Sequence, residues 1–165
     1  PMNYATVQDM IDRYGEPEMI QLTDPDILAV QASKAQRALD DAQAFADSFV
    51  GRVYRLPLPG CSQPAPVPGE PHAVQWVAPP QLTRVVCDVA RYYLYSNLAP
   101  EHEVYLRYKA AERELIQIAE GKAVLACPWG GVPGTLVAGD APGDAEVLYG
   151  FAPRHITDTS LRGFA

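Results

Sequence analysis

Residues 79–94 read PPQLTRVVCDVARYYL, and they carry the clearest helix signal in the chain. Two prolines open the stretch, and proline suits the first turn of a helix because the N–H that it lacks has no partner there. The apolar residues that follow recur at steps of three and four, which places them on one helical face. They are Leu82, Val85, Val86, Val89, Ala90, Tyr93 and Leu94. The pattern predicts a buried helix and a mainly α fold.

Towards the N-terminus the sequence predicts a short helix over residues 7–14. Thr6 precedes it as a candidate N-cap, and Gly15 is a typical C-terminal stop. Residues 18–22 are long enough for one further turn. A break follows at Pro25, because the residue before a proline is disfavoured in helical conformation.

Two longer helices complete the predicted bundle. Residues 32–50 place small and aromatic side chains on one face, namely Ala35, Ala38, Leu39, Ala42, Phe45, Ala46 and Phe49. After a break at residues 97–100, Pro100 suits the first turn of a last helix, which ends at Gly121. Its apolar positions are Val104, Tyr108, Ala111, Leu115 and Ile118. Residues 1–121 therefore predict a small helical core of four to five helices.

Two stretches do not fit this bundle. Residues 56–80 hold half of the 16 prolines, which excludes helix and favours a loop or hairpin, with residues 53–58 and 73–77 as candidate strands. Residues 122–165 are interrupted by glycine and proline and predict a long extended C-terminal docking arm. Ordering some 40 residues costs on the order of 40 kcal/mol of backbone entropy. We therefore expect neighbouring chains to support the arm.

Charge, hydropathy and cysteine content exclude several classes of protein. A net charge of -7 argues against a protein that grips nucleic acid. No apolar run reaches the roughly 18 residues of a membrane span, and the start lacks a signal-peptide pattern, so we expect a cytoplasmic chain without membrane contact. Cys61, Cys87 and Cys127 form no CxxC pair and are odd in number. The expectation is three reduced, structural thiols.

Sequence motifs for catalysis or cofactor binding are missing. His72, His102 and His155 lie far apart and outside any metal-binding pattern. The glycines that follow Trp129 match no nucleotide-binding motif. We expect no enzyme activity, no metal and no cofactor, and a catalytic site assembled from distant residues is the minor alternative.

The chain has more tyrosine around residues 92–108 than a bundle needs. Tyrosine buries a large area while keeping a polar tip, so an interface is one interpretation, and ordinary core with partly exposed tyrosine is the other. Apolar groups of the arm have no core of their own, and we expect them to contact other chains. The candidate interface residues are Tyr92, Tyr95, Tyr105, Trp129, Leu136, Val137, Leu148, Tyr149, Phe151, Leu161, Arg162 and Phe164.

Five strings carry a resemblance that is collinear along nearly the whole chain. They are YATVQDMIDRYG (4–15), QRALDDA (36–42), GRVYRLPL (51–58), CDVARYYLY (87–95) and SLRGF (160–164). In combination they resemble a Mu-like phage and prophage family of small virion proteins placed among head–tail connector, or adaptor, proteins. Residues 59–77 look longer than the family's usual link between the third string and the next helix.

The resemblance implies a helical adaptor without an active site, located in the virion neck and assembled in the host cytoplasm. Its copies would form a ring, with the portal protein and a tail-side connector or terminator protein as partners. DNA would pass through the lumen without specific binding, since a negative lumen does not hold phosphates. The alternative is a small helical scaffold or regulatory module that binds a protein through its tyrosine-rich helices and has a disordered tail.

Overall fold

A computed structural model describes residues 2–24, 26, 29–66, 70, 72–96 and 98–137 of the chain. Within them lie five helices and one two-stranded sheet, in the order α1 (Val7–Tyr14), α2 (Glu16–Thr23), α3 (Ala32–Val50), β1 (Cys61–Pro64), β2 (Val74–Val77), α4 (Pro80–Leu94) and α5 (Glu103–Ala119). None of these helices is long and apolar enough to cross a membrane. The predicted mainly α fold, with a hairpin inserted in the proline-rich stretch, is confirmed.

The first two helices are fixed by local signals. The Thr6 hydroxyl accepts a hydrogen bond from the Asp9 backbone N–H, and the Asp9 carboxylate accepts one from the Thr6 N–H, at 3.2 and 2.7 Å. This capping box starts α1 where the sequence predicts it. Gly15 joins α1 to α2 with a φ of +88°, a conformation that favours glycine. Helix α2 is longer than the single turn expected and has Pro17 in its first turn.

Helix α4 is the centre of the bundle and packs against both α3 and α5. Its predicted apolar face is buried except for Tyr93, and α3 meets the core through a stripe of small side chains. The buried α3 residues are Ala35, Ala38, Leu39, Ala42, Ala46 and Val50. Alanine lets the backbones of α3 and its neighbours approach closely, which leaves little room between them for large side chains. Phe45 and Phe49 of α3 accordingly lie at the edge of the core and stay partly exposed.

Helix α5 begins at Glu103, three residues after the Pro100 start that the sequence favours. The His102 imidazole Nδ1 accepts a hydrogen bond from the Val104 N–H at 3.2 Å and caps the helix. Ala99, the residue before Pro100, has no side-chain acceptor to cap a helix at that point. Helices α4 and α5 are antiparallel, as the contacts of Arg84 with Glu114 and of Tyr92 with Tyr105 show.

The hairpin uses a different first strand from the one expected. Strand β2 pairs with Cys61–Pro64 in antiparallel register, with Ser62 opposite Trp76 and Pro64 opposite Val74. The predicted pairing of residues 53–58 with 73–77 is wrong. Residues 53–55 make their backbone hydrogen bonds with residues 135–137 instead, and Pro57 has no N–H to donate to a ladder.

Residues 53–60 instead lie against residues 133–137. The Arg55 N–H donates to the Thr135 carbonyl, the Gly60 N–H to the Pro133 carbonyl, and the Val137 N–H to the Val53 carbonyl, at 2.8, 2.9 and 2.8 Å. Two more links attach residues 125–127 to the same part of the fold. They are the Cys61–Cys127 disulfide and a hydrogen bond from the Leu125 N–H to the buried Tyr54 hydroxyl. The beginning of the predicted arm is thus attached to the core of its own chain.

The disulfide corrects the expectation of three reduced thiols. Cys61 and Cys127 are 66 residues apart, and a spacing of that size gives no pairing signal. Cys87 is free and buried in α4, as a structural thiol should be.

Candidate assembly surfaces

Aromatic side chains from three helices meet on one side of the bundle, and we call this surface the aromatic face. Its members are Phe45 and Phe49 of α3, Tyr92 and Tyr93 of α4, and Tyr105 and Tyr108 of α5. Tyr92 and Tyr108 stack with ring centroids 4.2 Å apart and planes 15° apart, and Phe45 lies 6.2 Å from Tyr108. Stacked rings fix one another's positions, so the face has a defined shape.

The aromatic face is only partly covered. Tyr93 is 39% exposed, while the other five side chains are half-buried. Burial raises the pKa of Tyr93 and of Tyr108, and the neighbouring carboxylates Asp41 and Glu112 act in the same direction. Both hydroxyls therefore stay protonated and available as hydrogen-bond donors beside an apolar surface. That combination is typical of protein interfaces.

Tyr95 lies apart from the aromatic face, although the sequence groups it with Tyr92 and Tyr105. Its hydroxyl donates to the Glu18 carboxylate at 3.1 Å, and the Arg91 guanidinium donates twice to the same carboxylate, at 2.7 and 3.0 Å. Tyr95 therefore belongs to a polar seam that ties α2 to α4.

The seam continues at Asp88, a carboxylate that is 5% exposed in the middle of α4. It accepts a hydrogen bond from the Tyr14 hydroxyl at 2.8 Å, and Arg84 and Arg107 lie 3.6 and 3.9 Å away. Burial and the Asp88 charge raise the pKa of Tyr14. Two arginines offset the buried charge and the neutral Tyr14 hydroxyl donates a hydrogen bond to it, so the seam helps to hold α1 and α2 on the bundle.

A second apolar surface lies on the hairpin. Val74 and Trp76 are each 59% exposed and sit two residues apart on β2, hence on one face of the sheet. Trp129, 50% exposed, adjoins this face across an open cleft of about 450 Å³ that Pro64 and His72 also line. We call Val74, Trp76 and Trp129 together the hairpin surface.

The remaining predicted interface residues divide into two groups. Leu136 packs against the hydrophobic core and bridges to Tyr54, so its apolar surface is largely covered within the chain, whereas Val137 is 39% exposed. The others lie outside the described residues: Leu148, Tyr149, Phe151, Leu161, Arg162 and Phe164. For all twelve positions an interface role stays a prediction.

The described residues offer few groups for chemistry. No three of their His, Cys, Asp or Glu side chains come close enough to hold a metal ion. The Cys87 thiol is buried, which raises its pKa to about 12 and makes it a poor nucleophile. His72 lines the open cleft beside the hairpin, and His102 caps α5.

The sequence matches a known phage family. A family model described as Bacteriophage Mu, Gp36 matches residues 4–134, which span all five helices, the hairpin and the disulfide. The chain belongs to this Gp36 family. A relative from a prophage is consistent with this membership: "Mu-like prophage FluMu protein gp36" of Haemophilus influenzae is 29% identical over 119 residues, which are 72% of each chain.

Another Gp36 relative comes from phage Mu itself. "Gene product J" of Escherichia phage Mu is 32% identical over 123 residues, which are 73% of this chain and 74% of that one. The resemblance to a Mu-like phage protein is therefore confirmed. The names of these relatives do not state a position in the particle.

Sequence reasoning predicted Trp129 as an interface residue but missed Val74 and Trp76, the other two members of the hairpin surface. The alternation of Val74, Gln75, Trp76 and Val77 signals a half-buried strand, but it does not tell which side faces solvent. The partner strand decides that question, and the pairing of β2 with Cys61–Pro64 was not expected.

Proposed function

We propose that this Gp36-family chain is a structural virion protein, a head–tail connector subunit whose copies form a ring between the portal and the tail of a Mu-like phage. Membership of a Mu-like phage family supports the view that the chain is a phage protein. The connector role is inferred from the surfaces of the chain. No enzymatic step is part of this proposal.

The observation that carries the proposal is the presence of two exposed apolar surfaces built from different elements. The aromatic face comes from α3, α4 and α5, and the hairpin surface comes from β2 and the loop that contains Trp129. A ring of identical subunits needs two unlike surfaces, because each copy presents one to either neighbour. Exposed aromatic groups such as Tyr93 and Trp76 are the anchors that interfaces use most.

The remaining parts of the proposal follow from charge and from chain length. A net charge of -7 suits a ring through which DNA slides without being held. Residues 138–165 supply chain that reaches the portal, neighbouring copies or the tail-side protein. Because residues 133–137 form backbone hydrogen bonds with residues 53–60 of the same chain, the proposed docking arm is the part after Val137.

Complementation of particle assembly tests the proposal. A prophage with an early stop in this gene should give heads and tails that remain separate in electron micrographs, and the full chain supplied from a plasmid should join them. A chain that ends at Val137 should remain folded and fail to join them. Complete infectious particles without the protein would overturn the connector role, and joined particles with the shortened chain would overturn the role of the arm. A scaffold or regulatory module predicts loss of protein binding with particles still complete.

A further inference from the structure

The outer edge of β2 is open for strand pairing. The Ala65 N–H donates to the carbonyl of Ala73 directly opposite it at 2.8 Å, so residues 65 and 73 lie at a hydrogen-bonded position of the ladder. Bonded and non-bonded pairs alternate along an antiparallel ladder, which turns the N–H and C=O groups of Val74 and Trp76 away from β1. Among the described residues, β2 has β1 as its single strand neighbour.

The side chains of β2 leave its outer edge unprotected against pairing with another strand. Natural sheet edges are commonly blunted by charge or proline, and an exposed apolar edge is a template for another strand. Val74 and Trp76 present large apolar groups with 59% exposure each on the open edge. The other edge of the hairpin carries Pro64, which has no N–H to donate. A strand that joins the sheet therefore adds beside β2.

The surroundings of the edge are held in place before any partner binds. The Cys61–Cys127 disulfide links the first residue of β1 to the loop that carries Trp129. Trp129 consequently stays beside Pro64 and Val74, where it forms one wall of the open cleft. A preformed surface loses less entropy on binding than a loose one.

We propose that the open edge of β2 binds residues 146–151 of a second copy of this chain as an added β-strand. This segment reads EVLYGF, and Val147, Tyr149 and Phe151 recur at steps of two, which matches the period of Val74 and Trp76. No proline interrupts it. The inference rests on the proposed ring, because it names the contact between one subunit and the next.

The direction of the chain favours a second copy over self-binding. Cys127 is bonded to Cys61, the Pro133 carbonyl meets Gly60, and Val137 meets Val53, so the chain runs away from its own hairpin as it approaches residue 138. Roughly eight connecting residues reach at most about 28 Å from Val137. That length suits a neighbouring copy, whereas self-binding requires the chain to reverse.

Cross-linking between two full-length variants tests the inference. One chain carries Val74→Cys, the other carries Tyr149→Cys and a size tag, and a short bifunctional maleimide joins exposed thiols. Cys87 does not interfere, because it is buried and its pKa is raised to about 12. We expect a cross-linked pair of the two chains in the mixture and none when either variant is treated with wild-type chain.

Two matched controls locate the contact. Gln75→Cys in place of Val74→Cys puts the thiol on the opposite face of β2, and we expect at least tenfold less product. Adding Trp76→Lys to the Val74→Cys chain places a charge on the edge, and the same loss should follow with an unchanged unfolding midpoint, since Trp76 is exposed.

Four outcomes overturn the proposal. Equal product with Gln75→Cys means that the contact is not at this edge. A cross-link within one diluted chain that carries both Val74→Cys and Tyr149→Cys means self-binding. If light scattering shows oligomers but no cross-linked product forms, the strand contact is refuted and the proposed ring is not. If no oligomers form at any concentration, both the strand contact and a ring formed by the chain alone are refuted. Particle completion is scored separately and decides the connector role.

Discussion

The Tyr54 hydroxyl accepts a hydrogen bond from the Leu125 backbone N–H at 3.0 Å, across 71 residues of sequence. Both residues are fully buried, so no water replaces the bond if the hydroxyl is removed. Tyr54→Phe should therefore leave an unpaired buried N–H and lower the free energy of unfolding by about 1–3 kcal/mol. Urea unfolding measures the change.

Tyr93→Phe is the matched control for that substitution. Tyr93 is 39% exposed on the aromatic face, so loss of its hydroxyl should change the free energy of unfolding by less than about 0.5 kcal/mol. If the two substitutions lowered the free energy of unfolding equally, the Tyr54–Leu125 hydrogen bond would not stabilise the attachment of residue 125 to the core.

The Cys61–Cys127 disulfide gives a second prediction. It closes a segment of 66 residues, and loop-closure entropy sets its stabilisation at about 4 kcal/mol. We expect a reducing agent to lower the urea midpoint of the wild-type chain clearly. The double variant Cys61→Ser, Cys127→Ser should have the same low urea midpoint as the reduced wild-type chain, and the reducing agent should not change it. A wild-type midpoint that does not move while all three thiols become titratable would contradict the prediction.

These long-range links also mark the boundary of what the sequence predicts. The extent of α1 follows from Thr6 and Asp9, which are three residues apart and need no tertiary structure to interact. The helices α3 and α4 follow from apolar periodicity, because one face of each meets the core over several turns. Local signals of this kind are present in the amino-acid sequence itself.

The candidate surfaces depend on pairs that are distant in the chain. Tyr92 and Tyr108 stack because α4 and α5 are antiparallel, and the sequence indicates the tyrosine excess without this geometry. The exposure of Trp76 depends on pairing with Ser62, and the position of Trp129 depends on Cys127. Partner choice over such separations is a property of the whole fold, so hydrophobic periodicity alone does not reveal it.

The aromatic face yields a prediction about assembly. Tyr93→Ser should lower the free energy of unfolding by only about 1 kcal/mol, because the ring is 39% exposed and loses only part of its packing against Tyr92 and Tyr108. An aromatic anchor contributes about 2 kcal/mol or more to an interface, so complemented particle yield should fall at least tenfold. Infectious titre after complementation measures the yield.

A control for Tyr93→Ser is Gln117→Ser, which changes an exposed polar side chain of α5. It should keep both the titre and the unfolding midpoint. If Tyr93→Ser keeps the full titre as well, the aromatic face is not an assembly surface.

The buried phenols predict loss of stability in alkali. Burial and the Asp88 charge raise the pKa of Tyr14 above its usual value near 10, and burial with Asp47 raises the pKa of Tyr4 in the same way. Below pH 10 both phenols are protonated in the folded and the unfolded chain, so their contribution is fully present. Above pH 10 the unfolded chain loses these protons and the folded chain keeps them, so stability falls as pH rises.

Urea midpoints between pH 8 and pH 11 measure this fall, and Tyr14→Phe isolates one group. The variant should be less stable at pH 8, because the hydrogen bond to Asp88 is lost, and its midpoint should fall less steeply above pH 10. Cys87, with its pKa raised to about 12, adds a fall of the same sign, but wild type and Tyr14→Phe share it. Identical slopes in the two chains would mean that Tyr14 ionises as readily in the fold as in the unfolded chain, and that the Asp88 seam does not hold its proton.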